Sequence, residues 1–89
     1  MKRVLKLQHD KDAKLDYAWD WTDWLGIGET ITSQTVTGPA GFTVTNVNVT
    51  SGVVTAWCQT AVSGLLTCHI TTSLGRQEDR SFFLLVQSR

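Results

Sequence analysis

Residues 14–21 read Lys-Leu-Asp-Tyr-Ala-Trp-Asp-Trp, and this stretch decides the fold class. Every second residue from Leu15 to Trp21 is large and apolar, whereas Asp16, Ala18 and Asp20 lie between them. Successive side chains of a β-strand point to opposite faces, so strict alternation is typical of a strand with one buried face. The stretch therefore predicts a half-buried β-strand.

The chain on the C-terminal side of this stretch continues as short extended segments separated by turn residues. Threonine and valine are frequent there, and their branched side chains favour a pleated strand over a helix. Candidate strands lie at residues 29–37, 42–49, 53–59, 65–73 and 80–87, with Gly38-Pro39 and Ser51-Gly52 among the turns. No amphipathic helix pattern interrupts them. Regularly spaced strands of this kind predict an all-β fold, a small antiparallel β-sandwich with about six or seven strands.

The segment from Phe42 to Val49 shows a break in its alternation. Its apolar residues shift from even positions, Phe42 and Val44, to odd positions, Val47 and Val49. One extra residue in a strand restores the facing of the side chains that follow it. We therefore expect a β-bulge near Asn46.

The length of 89 residues allows one thin hydrophobic core. We expect an N-terminal arm or edge strand at residues 1–9 and a single sandwich domain at residues 10–89. A domain of this size is only marginally stable by itself, which favours an assembly partner.

The charge pattern argues against two classes of partner. Eight basic and eight acidic residues give a formal net charge of zero, without the basic field expected of a nucleic-acid or anionic-membrane binder. Charges interrupt every apolar run at the N-terminus, so we expect no signal peptide and no membrane segment.

Residues that commonly carry chemistry do not occur in a catalytic pattern. The aspartates between Asp10 and Asp23 lack the spacing of a calcium loop, which favours a solvated face over a metal site. His9 and His69 match neither zinc nor nucleophile spacing. We expect no catalytic residue, metal or cofactor.

Cys58 and Cys68 are the only cysteines of the chain. They fall in consecutive candidate strands, and cysteines that face each other across paired strands can form a disulfide. Both share a face with apolar residues, and a protein without an export signal meets a reducing compartment. We therefore expect two buried free thiols.

Aromatic residues exceed what a thin core needs, which indicates a protein interface. The inward set of the last strand is Phe82, Leu84 and Val86, so Phe83 and Leu85 point outward. The N-terminal arm is suited to adding a strand to a neighbouring chain. The predicted interface residues are Val4, Leu5, Leu7, Trp19, Trp24, Phe83 and Leu85.

Two stretches resemble a known family. The first runs from His9 to Gly26 and reads HDKDAKLDYAWDWTDWLG, and the second runs from Gly75 to Phe82 and reads GRQEDRSF. They are similar to the patterns K-D-P-D-x-x-L-D-Y-x-x-D-W-x-x-W-L and G-R-x-x-D-R-S-F of the bacteriophage fiber-tail adaptor family. His9 and Lys11 depart from the lysine and proline of the first pattern.

The resemblance implies an Ig-like sandwich that is repeated around a phage tail. Its partners would be other virion proteins of the tail or neck, a fiber and copies of itself in a ring or other symmetric assembly. It implies a virion protein of the tail or neck region that is made in the host cytoplasm.

Both motifs combine charged with aromatic residues, and guanidinium groups pair well with carboxylates. We therefore expect Arg76, Asp79 and Arg80 to form a structural ion-pair cluster with Asp16 or Asp20. Such a cluster would tie the last loop to the first strand.

These observations favour a non-enzymatic virion protein, a fiber-tail adaptor that works through protein contacts. Two alternatives stay open. A capsid decoration protein would use the same small sandwich on the phage head. A carbohydrate-binding module would use exposed tryptophans as a flat platform for sugars.

Overall fold

The computed structural model describes residues 5–87, which form seven β-strands. The strands are β1 Leu5–Asp10, β2 Lys14–Asp20, β3 Ile31–Thr37, β4 Phe42–Thr50, β5 Val53–Thr60, β6 Gly64–Thr72 and β7 Gln77–Gln87. One sheet has the order β1-β7-β6-β3 and the other the order β2-β5-β4. The prediction of a small all-β sandwich is confirmed.

The hydrophobic core lies between the inner faces of the two sheets. The alternation of residues 14–21 places Trp19 and Trp21 in it, whereas Leu15 lies at its margin and is partly exposed. Both faces of the core come from strands whose apolar residues recur with period two. Its buried apolar members are Trp19, Trp21, Val36, Val54, Ala56, Cys58, Leu66, Cys68, Ile70 and Leu84.

The strand pairs are antiparallel except for β1 with β7, which is parallel. Parallel neighbours need a long crossover connection. Here β1 and β7 are the first and last strands, so the connection between them consists of strands β2 to β6 and their loops. Residues 5–10 thus form an edge strand, while the division of the chain at residue 9 stays a prediction.

The bulge expected near Asn46 is confirmed. The register of β4 against β5 shifts between Thr45 and Asn48, and Asn46 has a φ of 53°. Asparagine tolerates this left-handed conformation better than most residues do. The bulge returns Val47 to the side on which it packs against the core.

The last strand begins earlier than its sequence pattern indicated. Residues 77–79, which precede the candidate strand at residues 80–87, belong to β7. Directly paired residues on neighbouring strands point to the same face, and Arg80 is paired with the buried Cys68. Arg80 therefore points inward, on the same face as Phe82 and Leu84.

Among the described residues no helix is formed, and so none is long and apolar enough to cross a bilayer.

Cys58 and Cys68 are free and buried, on strands that belong to opposite sheets. Burial raises the pKa of the Cys68 thiol to about 11 and also raises that of Cys58. A buried thiol with a raised pKa holds little of the reactive thiolate at neutral pH.

We expect a thiol reagent at pH 8 to label neither cysteine in the folded protein and both in urea, without prior reduction. Mass spectrometry of the labelled chain counts the modified thiols. Complete labelling of the folded protein, or none in urea, would contradict this prediction.

Candidate functional site

The two family-like stretches meet at the inward side chain of Arg80. Its guanidinium carbon lies 4.2 Å from the centre of the Trp21 ring, and its Nη1 donates to the Asp20 carbonyl oxygen at 3.0 Å. A guanidinium over an indole face gains from the ring quadrupole as well as from packing. This stack explains how a charged residue is accommodated on an inner face.

A second stack lies beside the first. The guanidinium carbon of Arg76 is 4.1 Å from the centre of the Trp24 ring, and its Nη2 donates to the Trp24 carbonyl oxygen at 3.1 Å. The Trp24 ring meets Trp21 edge to face at 5.5 Å. The arginines of the second motif therefore lie on tryptophans of the first.

Arg76 also binds the buried carboxylate of Glu29 through both of its oxygens. The Thr72 hydroxyl and the Gly26 amide donate to the same carboxylate, the amide at 2.8 Å. Hydrogen bonding to Arg76, followed by that to Thr72 and Gly26, lowers the pKa of Glu29 to about 2. We call Trp24, Glu29, Thr72 and Arg76 the Glu29 clamp.

The clamp corrects the expected ion-pair cluster. Arg76 binds Glu29 rather than Asp16 or Asp20, and Arg80 reaches the main chain of Asp20 rather than its carboxylate. The carboxylate of Asp20 accepts bonds from Thr22, which lower the pKa of Asp20 most, and the nearby charge of Arg80 lowers it further.

The other two members of that cluster lie elsewhere on the surface. Asp79 pairs with His69 on the outer face of the four-stranded sheet, whereas Asp16 is exposed on the outer face of the three-stranded sheet. The two motifs do meet, but the arginines of the second motif contact tryptophan rings and Glu29 rather than the carboxylates of Asp16 and Asp20. Glu29 was missed because a polar residue at the start of a candidate strand gives no signal of a partner 47 residues away.

The predicted interface residues of the last strand lie on one apolar patch. Phe83 and Leu85 are half-buried on the outer face of β7, and Leu65 of β6 is paired with Phe83 and 45% exposed. We call Leu65, Phe83 and Leu85 the outer patch. Further along the same face the surface becomes polar, with Thr67 and Ser81 hydrogen-bonded at 2.8 Å.

One other predicted interface residue is not on the surface. Trp19 is 2% exposed and stacks on Phe82 at 4.9 Å, so the assignment of Trp19 to an interface is corrected. Leu7 and Trp24 are half-buried and pack against the core. Val4 and the side chain of Leu5 lie outside the described residues.

Two exposed aliphatic residues are not among the predicted interface residues. Ile27 is fully exposed between two glycines, and Leu74 is 71% exposed in the turn between β6 and β7. Their loops are joined by bonds from the Ser73 amide to the Thr30 carbonyl at 2.8 Å and from the Thr30 amide to the Ser73 hydroxyl at 3.1 Å. We call Ile27 and Leu74 the loop tip. An apolar residue inside a glycine turn was the available signal.

Trp57 is the most exposed tryptophan of the described residues, at 38%. It lies on the outer face of β5, paired with Asp16 of β2 and Thr45 of β4. The neighbouring rung, with Lys14, Gln59 and Thr43, is also polar. This face presents an isolated indole surrounded by hydrogen-bonding groups.

A metal centre is not formed by the part of the chain that the structure describes. No three His, Cys, Asp or Glu side chains between residues 5 and 87 converge in an arrangement that could hold an ion. The N-terminal aspartates therefore do not form such a group there.

Comparison with known proteins gives a likeness of fold and a family match. An endo-fucoidan hydrolase of glycoside hydrolase family 107 shares 15% sequence identity and superposes with a TM-score of 0.55 over 97% of this chain. This chain spans only 13% of that enzyme, so the likeness concerns the sandwich fold alone. No curated protein sequence matches.

Residues 9–85 match the family described as "Podophage GP4 fiber-tail adaptor protein gp77". The matched range contains both motifs and all four residues of the two arginine–tryptophan stacks. Because the match covers nearly the whole chain, the protein belongs to this phage fiber-tail adaptor family.

Proposed function

We propose that the protein is a non-enzymatic component of the virion tail that links tail or neck proteins to a fiber or to neighbouring subunits. Membership of an adaptor family indicates a structural role in a phage tail. The contact role of this chain rests chiefly on the outer patch. Its Leu65 is 45% exposed, and Phe83 and Leu85 lie half-buried beside it on the outer face of the sheet.

The physical argument concerns the cost of that exposure. Monomeric proteins rarely expose large contiguous apolar patches, and such patches commonly mark interaction sites. The core of a protein interface is enriched in aromatic and aliphatic residues and poor in charge. Phe83, flanked by Leu65 on the neighbouring strand, has this character.

The loop tip adds a second contact. Ile27 and Leu74 project from loops that the Glu29 clamp and the Thr30–Ser73 bonds hold in place. A preorganised apolar side chain loses little conformational entropy when it enters a partner's pocket. In this proposal the family motifs act indirectly, because they brace the loops that present the tip.

A charge placed in the outer patch should block assembly while the sandwich stays folded. We expect Leu65→Arg to reduce incorporation of the protein into virions at least tenfold, since an unpaired charge would be buried in the interface. Complementation of a phage lacking this protein, followed by quantification in purified particles, measures the effect.

Thr43→Arg is the matched control, because it places arginine at an exposed position of the other sheet. Circular dichroism of both variants tests whether they fold. Equal incorporation of two folded variants would exclude the outer patch as the linking surface. The position of the wild-type protein in particle maps separates a tail adaptor from a capsid decoration protein.

The exposure of Trp57 on a polar face favours a second candidate, binding of a carbohydrate. Sugars stack on flat indole faces while neighbouring polar groups bond their hydroxyls. Binding of the isolated protein to a glycan array, lost in Trp57→Ala and kept in Leu65→Arg, would support this candidate. No binding by the wild-type protein would eliminate it.

A further inference from the structure

The first strand completes the four-stranded sheet at its edge. All its described ladder partners are in β7, from Leu5 opposite Phe82 to Asp10 opposite Gln87. The next strand, β2, belongs to the other sheet. The chain therefore crosses between the sheets through residues 11–13 alone.

The sandwich depends on this strand for more than its main-chain bonds. His9 is buried, and its Nε2 lies 2.8 Å from the Ala13 carbonyl oxygen. A carbonyl only accepts hydrogen bonds, so Nε2 is the donor and Nδ1 accepts from the Tyr17 hydroxyl at 2.5 Å. Burial, more than the nearby Cys58 and Asp16, raises the pKa of Tyr17 to about 12. A sheet without β1 would leave this hydroxyl without its acceptor and the edge of β7 open.

The crossing between the sheets is tight and strained. Asp12 has a φ of 63°, in the left-handed region that costs free energy for a residue other than glycine. The turn is closed by a bond from the Ala13 amide to the Asp10 carbonyl and another from the Asp12 amide to the Thr60 carbonyl, both at 3.0 Å. An extended hinge would release the strain and carry β1 away from its own sheet.

We propose that β1 is exchanged between copies of this chain, so that Leu5–Asp10 of one copy completes the four-stranded sheet of the next. The same segment of another copy is the occupant that fits the open edge of β7 best. Its register with β7, its buried His9 and its contact with Tyr17 already match that edge. Every contact of β1 outside the hinge is reproduced in the exchanged form. The balance between the two forms therefore depends on hinge strain and on protein concentration.

Such an exchange deepens the proposed adaptor role, and its use in a virion rests on that role. A strand given to one neighbour and received from another produces a head-to-tail contact, which closes into a ring when the rotation allows. Repeated subunits held close together on a tail raise the effective concentration of the donated strand. The exchange itself is measured on the isolated protein.

The test is a disulfide that only exchange can form. Gln8 and Leu85 are paired across β1 and β7, and directly paired positions of neighbouring strands are close enough to be bridged by a disulfide. Full-length Gln8→Cys and Leu85→Cys variants, one carrying a mass tag, are mixed at high concentration and oxidised mildly. We expect a disulfide-linked heterodimer on a non-reducing gel, several-fold above that from a control mixture of Gln8→Cys with Thr43→Cys.

A hinge variant gives a second measurement. Proline cannot adopt the φ of Asp12 and removes the amide that bonds to Thr60, so Asp12→Pro should shift the protein from monomer to oligomer by light scattering. Asp12→Gly, which adopts this φ without strain, should stay monomeric at the same concentration. Heterodimer no higher than in the control mixture overturns the exchange, whatever the hinge variants show. That outcome leaves the separate virion test with Leu65→Arg unaffected.

Discussion

Replacing Trp21 by alanine is expected to lower the free energy of unfolding by about 3–5 kcal/mol. The side chain is fully buried, so its removal leaves a large cavity between the sheets. It also removes the ring under Arg80, which would then face the interior without its stacking partner. Domains of this size are stable by only about 5–15 kcal/mol, so the variant approaches the limit of folding.

Urea unfolding followed by far-ultraviolet circular dichroism measures this loss, and Trp57→Ala is the matched control. The same substitution there removes an indole that is 38% exposed on an outer face, so the loss should be less than half as large. Equal destabilisation by the two substitutions would contradict the placement of Trp21 in the core.

Features that depend on local alternation were accessible from the sequence. The buried face of β2 and the bulge at Asn46 follow from where apolar residues fall along an extended chain, because strand side chains alternate with period two. The inward faces around Cys58 and Cys68 follow in the same way. The arginine–tryptophan stacks could not be predicted, since they join residues far apart in the chain that meet only when the loops and the two sheets pack together.

For Trp19, the alternation pattern predicted its burial correctly, but its assignment to an interface was wrong. Its alternation placed it on the buried face of β2, and it is buried there. The expectation that surplus tryptophans reach the surface then assigned it to an interface. The structure places Trp57 at the surface instead, and the inward Arg80 covers one of the buried rings. The number of aromatic residues does not show which tryptophan rings are buried under arginine side chains and which reach the surface.

Breaking the Glu29 clamp should destabilise the fold in a way that depends on pH. Arg76→Met keeps much of the length of the side chain but removes the donors from a carboxylate whose side chain is fully buried. We expect the melting temperature at pH 7 to fall by roughly 5–10 °C, because a buried charge is left with fewer partners. Thermal unfolding by circular dichroism at several pH values measures this fall.

The sign of the pH dependence follows from the pKa of Glu29, which the folded wild-type protein lowers from 4.5 to about 2, first through Arg76. A carboxyl group with a lowered pKa contributes stability that is fully present above its unfolded pKa and is lost as the pH falls through its folded pKa. The difference in stability between wild type and Arg76→Met should therefore be constant above about pH 5 and shrink as the pH falls from 4.5 towards 2.

Glu29→Gln, which has no carboxyl group to titrate at this position, should lose stability at pH 7 and retain a weaker acid dependence in the same window. Adding Arg76→Met to Glu29→Gln should cost less than it does in the wild type, since the pair is already broken. A difference between Arg76→Met and wild type that does not change between pH 7 and pH 2 would show that Arg76 acts through its stack on Trp24 and not through Glu29.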